Sequence, residues 1–160
     1  MRYGTRTELK RRWTPSGHRP RCRMFIGYDW AYLYAAINPY SGDLFCLLLP
    51  YMTKECFGKF LEAFQEHIGQ RKTLLILDKA SNHQLVLTQD CTITLAHLPT
   101  ACPEINPAER FFEELRKQLA NQVFFDLEQV ELKITQILKQ YWDNPKTLVK
   151  LCCYPFINTS

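Results

Sequence analysis

Two acidic residues stand where the chain could bind a metal ion. Asp78 directly follows the apolar run 73–77 (TLLIL), which has the length and composition of a strand buried on both faces. In open α/β sheets, groups at the carboxyl ends of strands are presented to ligands, so a carboxylate here is a candidate metal ligand. Taken alone, Asp78 is more simply explained as a turn residue that ends a strand.

Glu109 lies in the first turn of a predicted helix. Asn106 and Pro107 have the residue types of an N-cap and a first helical position, and a glutamate three residues after the cap can bond back to the cap's amide. A capping box therefore accounts for Glu109. The same residue lies about 60° around the helix from Phe112, on the predicted buried face, so its carboxylate can also point toward Asp78. Both roles stay open on this pattern.

The first 23 residues form a strongly basic segment. They hold eight of the twenty Lys and Arg residues, and Glu8 is their single acid. In the rest of the chain, Asp and Glu outnumber Lys and Arg. Such a segment suits contacts with nucleic-acid phosphates, and a tryptophan within it can stack or pack. The residues assigned to DNA contacts here are Lys10, Arg11, Arg12, Trp13, Arg19 and Arg21. A solvated arm without a partner explains the same composition equally well.

The remaining pattern predicts an α/β fold of one domain. The predicted elements are a strand at 24–37, a turn at 38–43, a strand at 44–49, a helix capped by Thr53 that stops at Gly69, strands at 73–77 and 92–98, a helix from Asn106 whose face runs through Phe112, Leu115, Leu119 and Val123, and a helix from Asp126 to Tyr141. A strand, a connection and another strand indicate a parallel pair.

Composition excludes several classes of protein. No apolar stretch is long enough to span a membrane, and the charged start has no apolar region behind it of the kind a secretory signal requires. The seven cysteines form no C-x-x-C pair, which argues against a zinc site and favours free thiols. We therefore expect a cytoplasmic protein without a membrane partner.

Three stretches resemble the signatures of one known family. LDKASNH at 77–83 is similar to L-D-N-A-x-x-H, LPTACPEINPAERFF at 98–112 to L-P-x-x-x-P-E-L-N-P-x-E-R-F-W, and RRWTPSGHRP at 11–20 to R-R-W-x-P-x-G-x-R-P. These are the signatures of DDE transposases of the mariner superfamily, in its bacterial insertion-sequence branch. The resemblance covers nearly the whole chain, and the second motif is the most specific.

The resemblance implies an RNase H-like mixed sheet flanked by helices, lacking most or all of its first strand. It divides the chain into the basic segment 1–23, a catalytic domain at 24–145 and a tail at 146–160. It makes Asp78 the second and Glu109 the third acid that hold Mg²⁺ or Mn²⁺, with two ions in the complete enzyme. His83 and Arg110 are assigned to DNA contacts, although a histidine just past a strand is more often structural.

The first acid of the family lies in a D-E-x-R-x-G segment. Residues 1–4 (MRYG) resemble the last four residues of that segment, so the first acid is missing from this sequence. A two-metal site clamps the attacking and leaving oxygens of a phosphodiester between ions about 4 Å apart, and a shared aspartate commonly bridges them. Two acids alone should bind metal weakly. Lys79, which stands where the family has asparagine, adds a cation beside this site.

The expected partners are therefore DNA, as transposon ends and target, and either a second copy of the chain or an upstream-encoded half that completes the sheet. The expected activity is metal-dependent cleavage and strand transfer of DNA near the nucleoid. The alternative is a catalytically inactive remnant that still binds nucleic acid through its basic segment.

Overall fold

The computed structural model describes residues 1–78, 92–99 and 105–153. Their strands are β1 (Arg2–Gly4), β2 (Trp30–Ile37), β3 (Leu44–Leu49), β4 (Thr73–Leu77) and β5 (Ile93–His97), and their helices are α1 (Lys54–Ile68), α2 (Pro107–Leu119), α3 (Leu127–Asp143) and α4 (Pro145–Cys152). None of these helices is long and apolar enough to cross a membrane. The α/β class predicted from the sequence is confirmed.

The first three strands form an antiparallel sheet in the order β1-β2-β3. Its β2–β3 hairpin turns at Asn38, whose side-chain oxygen accepts hydrogen bonds from the amides of Tyr40 and Ser41. Gly42 completes the turn with a φ of 75°, and a side chain there would overlap the backbone of Pro145. The hairpin predicted from the sequence is confirmed, and its turn lies against the start of α4.

A second, two-stranded sheet pairs β4 with β5 in parallel, from Thr73 opposite Ile93 to Leu77 opposite His97. Helix α1 packs against both sheets. Its buried aromatic residues Phe57, Phe60 and Phe64 share one hydrophobic cluster with residues of β2, β4 and β5. The helix is capped as predicted, because the Thr53 hydroxyl accepts from the Cys56 amide and Gly69 ends it at positive φ.

The other face of the three-stranded sheet is covered by α2, α3 and α4. Phe111 and Leu115 of α2, Ile134 of α3 and Leu148 of α4 are fully buried in one cluster with Leu33 of β2. Helix α3 begins at the predicted cap, since the Asp126 carboxylate accepts from the Gln129 amide. The sequence analysis predicted no helix over the residues of α4, which this core nevertheless includes.

Three boundaries differ from the sequence-based predictions. Residues 24–29 are not part of β2. Phe25 and Asp29 instead accept backbone hydrogen bonds from Thr7 and Thr5, and Gly27 lies too close to Thr5 to carry a side chain. The fifth strand is shorter than predicted by one residue at each end.

The predicted extension of α2 to Val123 was also wrong, because the helix ends at Leu119 and Asn121 takes a left-handed φ of 60°. The prediction that β4 is buried on both faces was wrong as well. Leu74 and Ile76 are 59% and 52% exposed, whereas Leu77, on the face toward α1, is buried. An apolar run therefore did not reveal that only one face of this strand is covered.

Candidate active site and nucleic-acid interface

Asp78 is placed by the end of β4. The Leu77 carbonyl accepts a hydrogen bond of 2.7 Å from the Leu98 amide, which extends the pairing of β4 and β5 up to the residue before Asp78. The Asp78 side chain is exposed. The structure thus presents this carboxylate at the carboxyl end of a parallel strand, where ligand-binding groups are found in α/β sheets.

Glu109 is placed by the first turn of α2. The Asn106 side chain accepts from the Ala108 amide at 3.0 Å, and the Asn106 carbonyl accepts from the Glu109 amide at 3.1 Å. Phe111 and Phe112 then anchor this end of the helix in the core, with the Phe111 ring edge-on to Tyr141 at 5.4 Å. Asn106 therefore acts as the predicted N-cap, and the half-buried Glu109 is held on a rigid element.

The amino group of Met1 shows that the two carboxylates lie near one point. This group donates a 2.6 Å hydrogen bond to the Leu33 carbonyl, and the Leu33 amide donates to the Met1 carbonyl. Burial and the Arg116 guanidinium lower the pKa of the amine to about 6, while Glu109 and Asp78 oppose this shift. Both carboxylates are thus within electrostatic reach of Met1, the residue before β1.

The chemistry of these donors fits a hard divalent cation in part. Carboxylate oxygens are the ligands that Mg²⁺ and Mn²⁺ prefer, and Asp78 and Glu109 could supply two of them. Across residues 1–78, 92–99 and 105–153, no three His, Cys, Asp or Glu side chains gather closely enough to hold a metal ion. Lys79 and His83 lie outside the described residues.

The residues between β1 and β2, numbers 5–29, form an arm, and most of the basic residues of the 1–23 segment lie on it. Hydrogen bonds between its two sides, from the Thr5 amide to Asp29 and from the Thr7 amide to Phe25, hold the base of the arm. At its tip, the His18 amide donates to the Pro15 carbonyl, and Gly17 has a φ of 81°, as the third residue of a type II turn does.

The side chains predicted to contact DNA on this arm are all exposed, although the Arg12 guanidinium also donates to the Asn121 carbonyl. The exposed side chains are Lys10, Arg11, Arg12, Trp13, Arg19 and Arg21, and the indole of Trp13 is fully exposed. Arg110 is also exposed, on α2 beside Glu109. The arm therefore presents its cations and one aromatic ring on its surface instead of packing them into the core.

Sequence reasoning missed two features near these sites. Asn121 holds the arm near the end of α2 through hydrogen bonds with Lys10. Asparagine often follows a helix in left-handed backbone, and this preference could have identified Asn121 from the sequence. Arg116 lies close enough to affect the Met1 amine, and Arg2 stacks over Trp30 at 4.5 Å. No spacing in the sequence signals either of these arginine placements.

The chain is similar to known proteins. The family model described as "DDE superfamily endonuclease" matches residues 1–131. The uncharacterized protein y4pE/y4sA of Sinorhizobium fredii is 30% identical over 132 residues, which cover 76% of this chain and 93% of that protein.

Two solved structures share the fold. They are the Mos1 transposase paired-end complex with left transposon end (TM-score 0.61, 16% identity) and the Mos1 strand transfer complex (TM-score 0.65, 14% identity). The match covers 94% of this chain and 50% of each Mos1 chain, so the chain spans half the length of the solved proteins it resembles. With a family model that matches residues 1–131, the chain belongs to the DDE superfamily of endonucleases.

Proposed function

We propose that this chain forms most of the catalytic domain of an insertion-sequence transposase, which cuts DNA at transposon ends and joins it to a target. The observation that carries the proposal is that Asp78, at the end of β4, and Glu109, at the start of α2, both act electrostatically on the Met1 amine. They come from a strand end and a helix start far apart in the sequence. Neither the capping of α2, which Asn106 provides, nor the pairing of β4 requires this arrangement.

Each part of the chain has a role in this reaction. The carboxylates of Asp78 and Glu109 would hold Mg²⁺ or Mn²⁺, two ions in the complete enzyme, and bound ions would polarise the phosphodiester and stabilise its leaving oxygen. The arm would bind the DNA phosphates through Lys10, Arg11, Arg12, Arg19 and Arg21, with Trp13 available for stacking. Arg110, which follows Glu109 on α2, would contact the DNA strand being cut. His83 would also contact DNA.

The first acid of the site would come from a segment encoded upstream that extends β1. The support is the edge of β2: among the described residues, no strand pairs with positions 34–37 on the side away from β3, whereas Met1 pairs with Leu33 in a register that can continue there. A strand that continued β1 would pair with positions 34–37 of β2 and would place its last residues next to Met1, whose charge Asp78 and Glu109 influence. A second copy of the chain could fill the same edge by self-association.

The test is Mn²⁺-dependent nicking of transposon-end DNA by this chain and by a version extended upstream through an aspartate. Each is compared with its Asp78→Asn and Glu109→Gln variants, and Mn²⁺ binding is measured by titration calorimetry. Asp43→Asn is the matched control, because this acid lies in the β2–β3 turn and pairs with His67 and Arg71. We expect nicking by the extended form only, and loss of both nicking and Mn²⁺ binding in the two site variants.

A second function is favoured by the small number of acids, since only two carboxylates converge among the described residues. In this alternative the chain is a catalytically inactive remnant that binds nucleic acid through the arm. Equal Mn²⁺ binding by the wild type and the Glu109→Gln variant, with no nicking by the extended form, would contradict the first proposal. Salt-dependent DNA binding in that case would support the second.

A further inference from the structure

The arm contacts the body of the protein at Asn121, two residues after the end of α2. The side chain of Asn121 accepts a hydrogen bond from the Lys10 amide at 3.1 Å and donates one to the Lys10 carbonyl at 3.1 Å. One side-chain amide thus satisfies both backbone groups of one arm residue, as a neighbouring strand would.

The backbone of Asn121 adds further contacts with the arm. Its amide donates to the Glu8 carbonyl at 2.8 Å, and its carbonyl accepts from the Arg12 guanidinium at 3.4 Å. On the returning side of the arm, the Cys22 thiol lies 3.8 Å from both the carbonyl and the side-chain oxygen of Asn121. Both sides of the arm are therefore held at the same residue.

The conformation of Asn121 explains why this residue can hold the arm. Asn121 is the one non-glycine residue with positive φ among the described residues, and asparagine adopts this region with little strain. Because α2 ends at Leu119, two residues earlier, the left-handed turn at Asn121 directs its side chain to Lys10 and its backbone to Glu8 and Arg12. The start of α2 carries Glu109, so one rigid helix connects the candidate active site to the arm.

We propose that Asn121 is the positioning residue of the arm, and that it holds the cations of the arm in place so that they contact the phosphates of bound DNA together. The inference rests on the proposed function, in which the arm binds DNA. A free arm would have to be ordered when DNA binds, and the loss of its conformational freedom would weaken the complex. Asn121 removes this cost because it orders the arm beforehand.

The test compares DNA affinity in two backgrounds. Asn121→Gly keeps the positive φ but removes both side-chain bonds to Lys10, and Asn38→Gly is the control that removes two side-chain bonds in the β2–β3 turn. Binding to a short fluorescein-labelled DNA duplex of arbitrary sequence is measured by anisotropy over a range of salt concentrations. We expect Asn121→Gly to weaken binding about fivefold, the loss that one to two net hydrogen bonds represent, and Asn38→Gly to leave it unchanged.

The second background carries Arg11→Gln, Arg19→Gln and Arg21→Gln, which remove arm charges without touching Asn121. We expect this variant to bind DNA more weakly and to lower the slope of log K against log salt by about 2.7 if three phosphate contacts are lost. In this background Asn121→Gly should have little further effect, because the residue acts through the charges of the arm. The release of the arm itself is measured by faster alkylation of Cys22 and faster tryptic cleavage after Arg11.

The possible outcomes separate the two proposals. If the charge variant binds DNA as the wild type does, the proposed role of the arm fails. If the charge variant binds weakly while Asn121→Gly binds normally despite a released arm, the positioning role of Asn121 fails alone. A change in sedimentation without a change in DNA affinity would show that the arm contacts a second copy of the chain, and would also overturn the inference.

Discussion

The two sheets of the molecule differ in how many of their faces are covered. The three-stranded sheet has α1 on one face and α2, α3 and α4 on the other. Leu33 of β2 is buried in the cluster with α2, α3 and α4, and Ala36 of β2 is buried in the cluster with α1. The two-stranded sheet has α1 on one face, and Leu74 and Ile76 are exposed on the other. Among residues 1–78, 92–99 and 105–153, helices thus cover both faces of the first sheet and one face of the second.

The difference shows what an apolar run in the sequence can and cannot indicate. The strand at 44–49 (LFCLLL) and the strand at 73–77 (TLLIL) have similar compositions, and both predict buried strands. Only the first lies between two layers of helices. Whether a second layer covers a strand depends on residues far away in the sequence, so the pattern identifies the strand without identifying its neighbours.

The largest effect should follow from a cavity in the doubly covered region. Ile134 on α3 is fully buried, and we expect Ile134→Ala to lower the free energy of unfolding by about 4 kcal/mol, measured by urea denaturation. Leu132→Ala on the same helix is the control, because Leu132 is 58% exposed and should cost less than about 1 kcal/mol. Equal losses in the two variants would mean that α3 does not pack as described.

A smaller loss is expected from the same kind of change in the singly covered region. Ile93 on β5 is buried against α1, but its strand has one open face around which the site can relax. We expect Ile93→Ala to cost about 2 to 3 kcal/mol, with Thr94→Ala, on the other face of β5, as the control. A cost greater than that of Ile134→Ala would reverse the ranking of the two regions.

The pH dependence of stability tests the point where β1 meets Asp78 and Glu109. The pKa of the Met1 amine is lowered from 8.0 to about 6 in the folded chain, so between these values the unfolded chain binds more protons. The free energy of unfolding should therefore rise as the pH increases from 6 to 8, by at most about 2 kcal/mol after partial solvent screening.

Acetylation of the Met1 amine isolates this effect, because every side chain is the same in the acetylated and the free form of the chain. The acetylated nitrogen can still donate to the Leu33 carbonyl but carries no charge, so we expect a flatter stability profile between pH 6 and 8. Denaturation midpoints of the two forms at several pH values provide the measurement. Parallel profiles would contradict the burial of this amine beside the two carboxylates.

Much of the local structure followed from short-range rules. The caps at Thr53 and Asn106 and the start of a helix at Asp126 were predicted and were confirmed, because a cap depends on neighbours within one turn. The end of α2 was missed because the left-handed backbone of Asn121 is stabilised by the arm, more than a hundred residues away in the sequence. The helix α4 was missed because it is short and its burial depends on packing against α2.

The candidate site was predicted only in part, for the same reason. Asp78 and Glu109 were identified from a strand end, a helix start and a family resemblance, and the structure brings both near Met1. Their roles as metal ligands stay predictions. The influence of Arg116 on the same point could not be predicted, since it depends on how α2 lies across β1. Residue types indicated which side chains could bind a metal ion, and tertiary packing determined which charges lie around the Met1 amine.

The smallest effect on stability is expected where the singly covered sheet is open. Leu74→Thr combined with Ile76→Thr places β-branched residues at both positions of β4 and removes apolar surface that already faces solvent. We expect the free energy of unfolding to stay within about 0.5 kcal/mol of the wild type, while the tendency of the chain to self-associate falls. Sedimentation at several protein concentrations measures the second effect, with Leu132→Thr on the exposed surface of α3 as the matched control. A loss of stability that grows with protein concentration would instead mean that a second copy of the chain covers this face, and the sheet would then be doubly covered in the assembly.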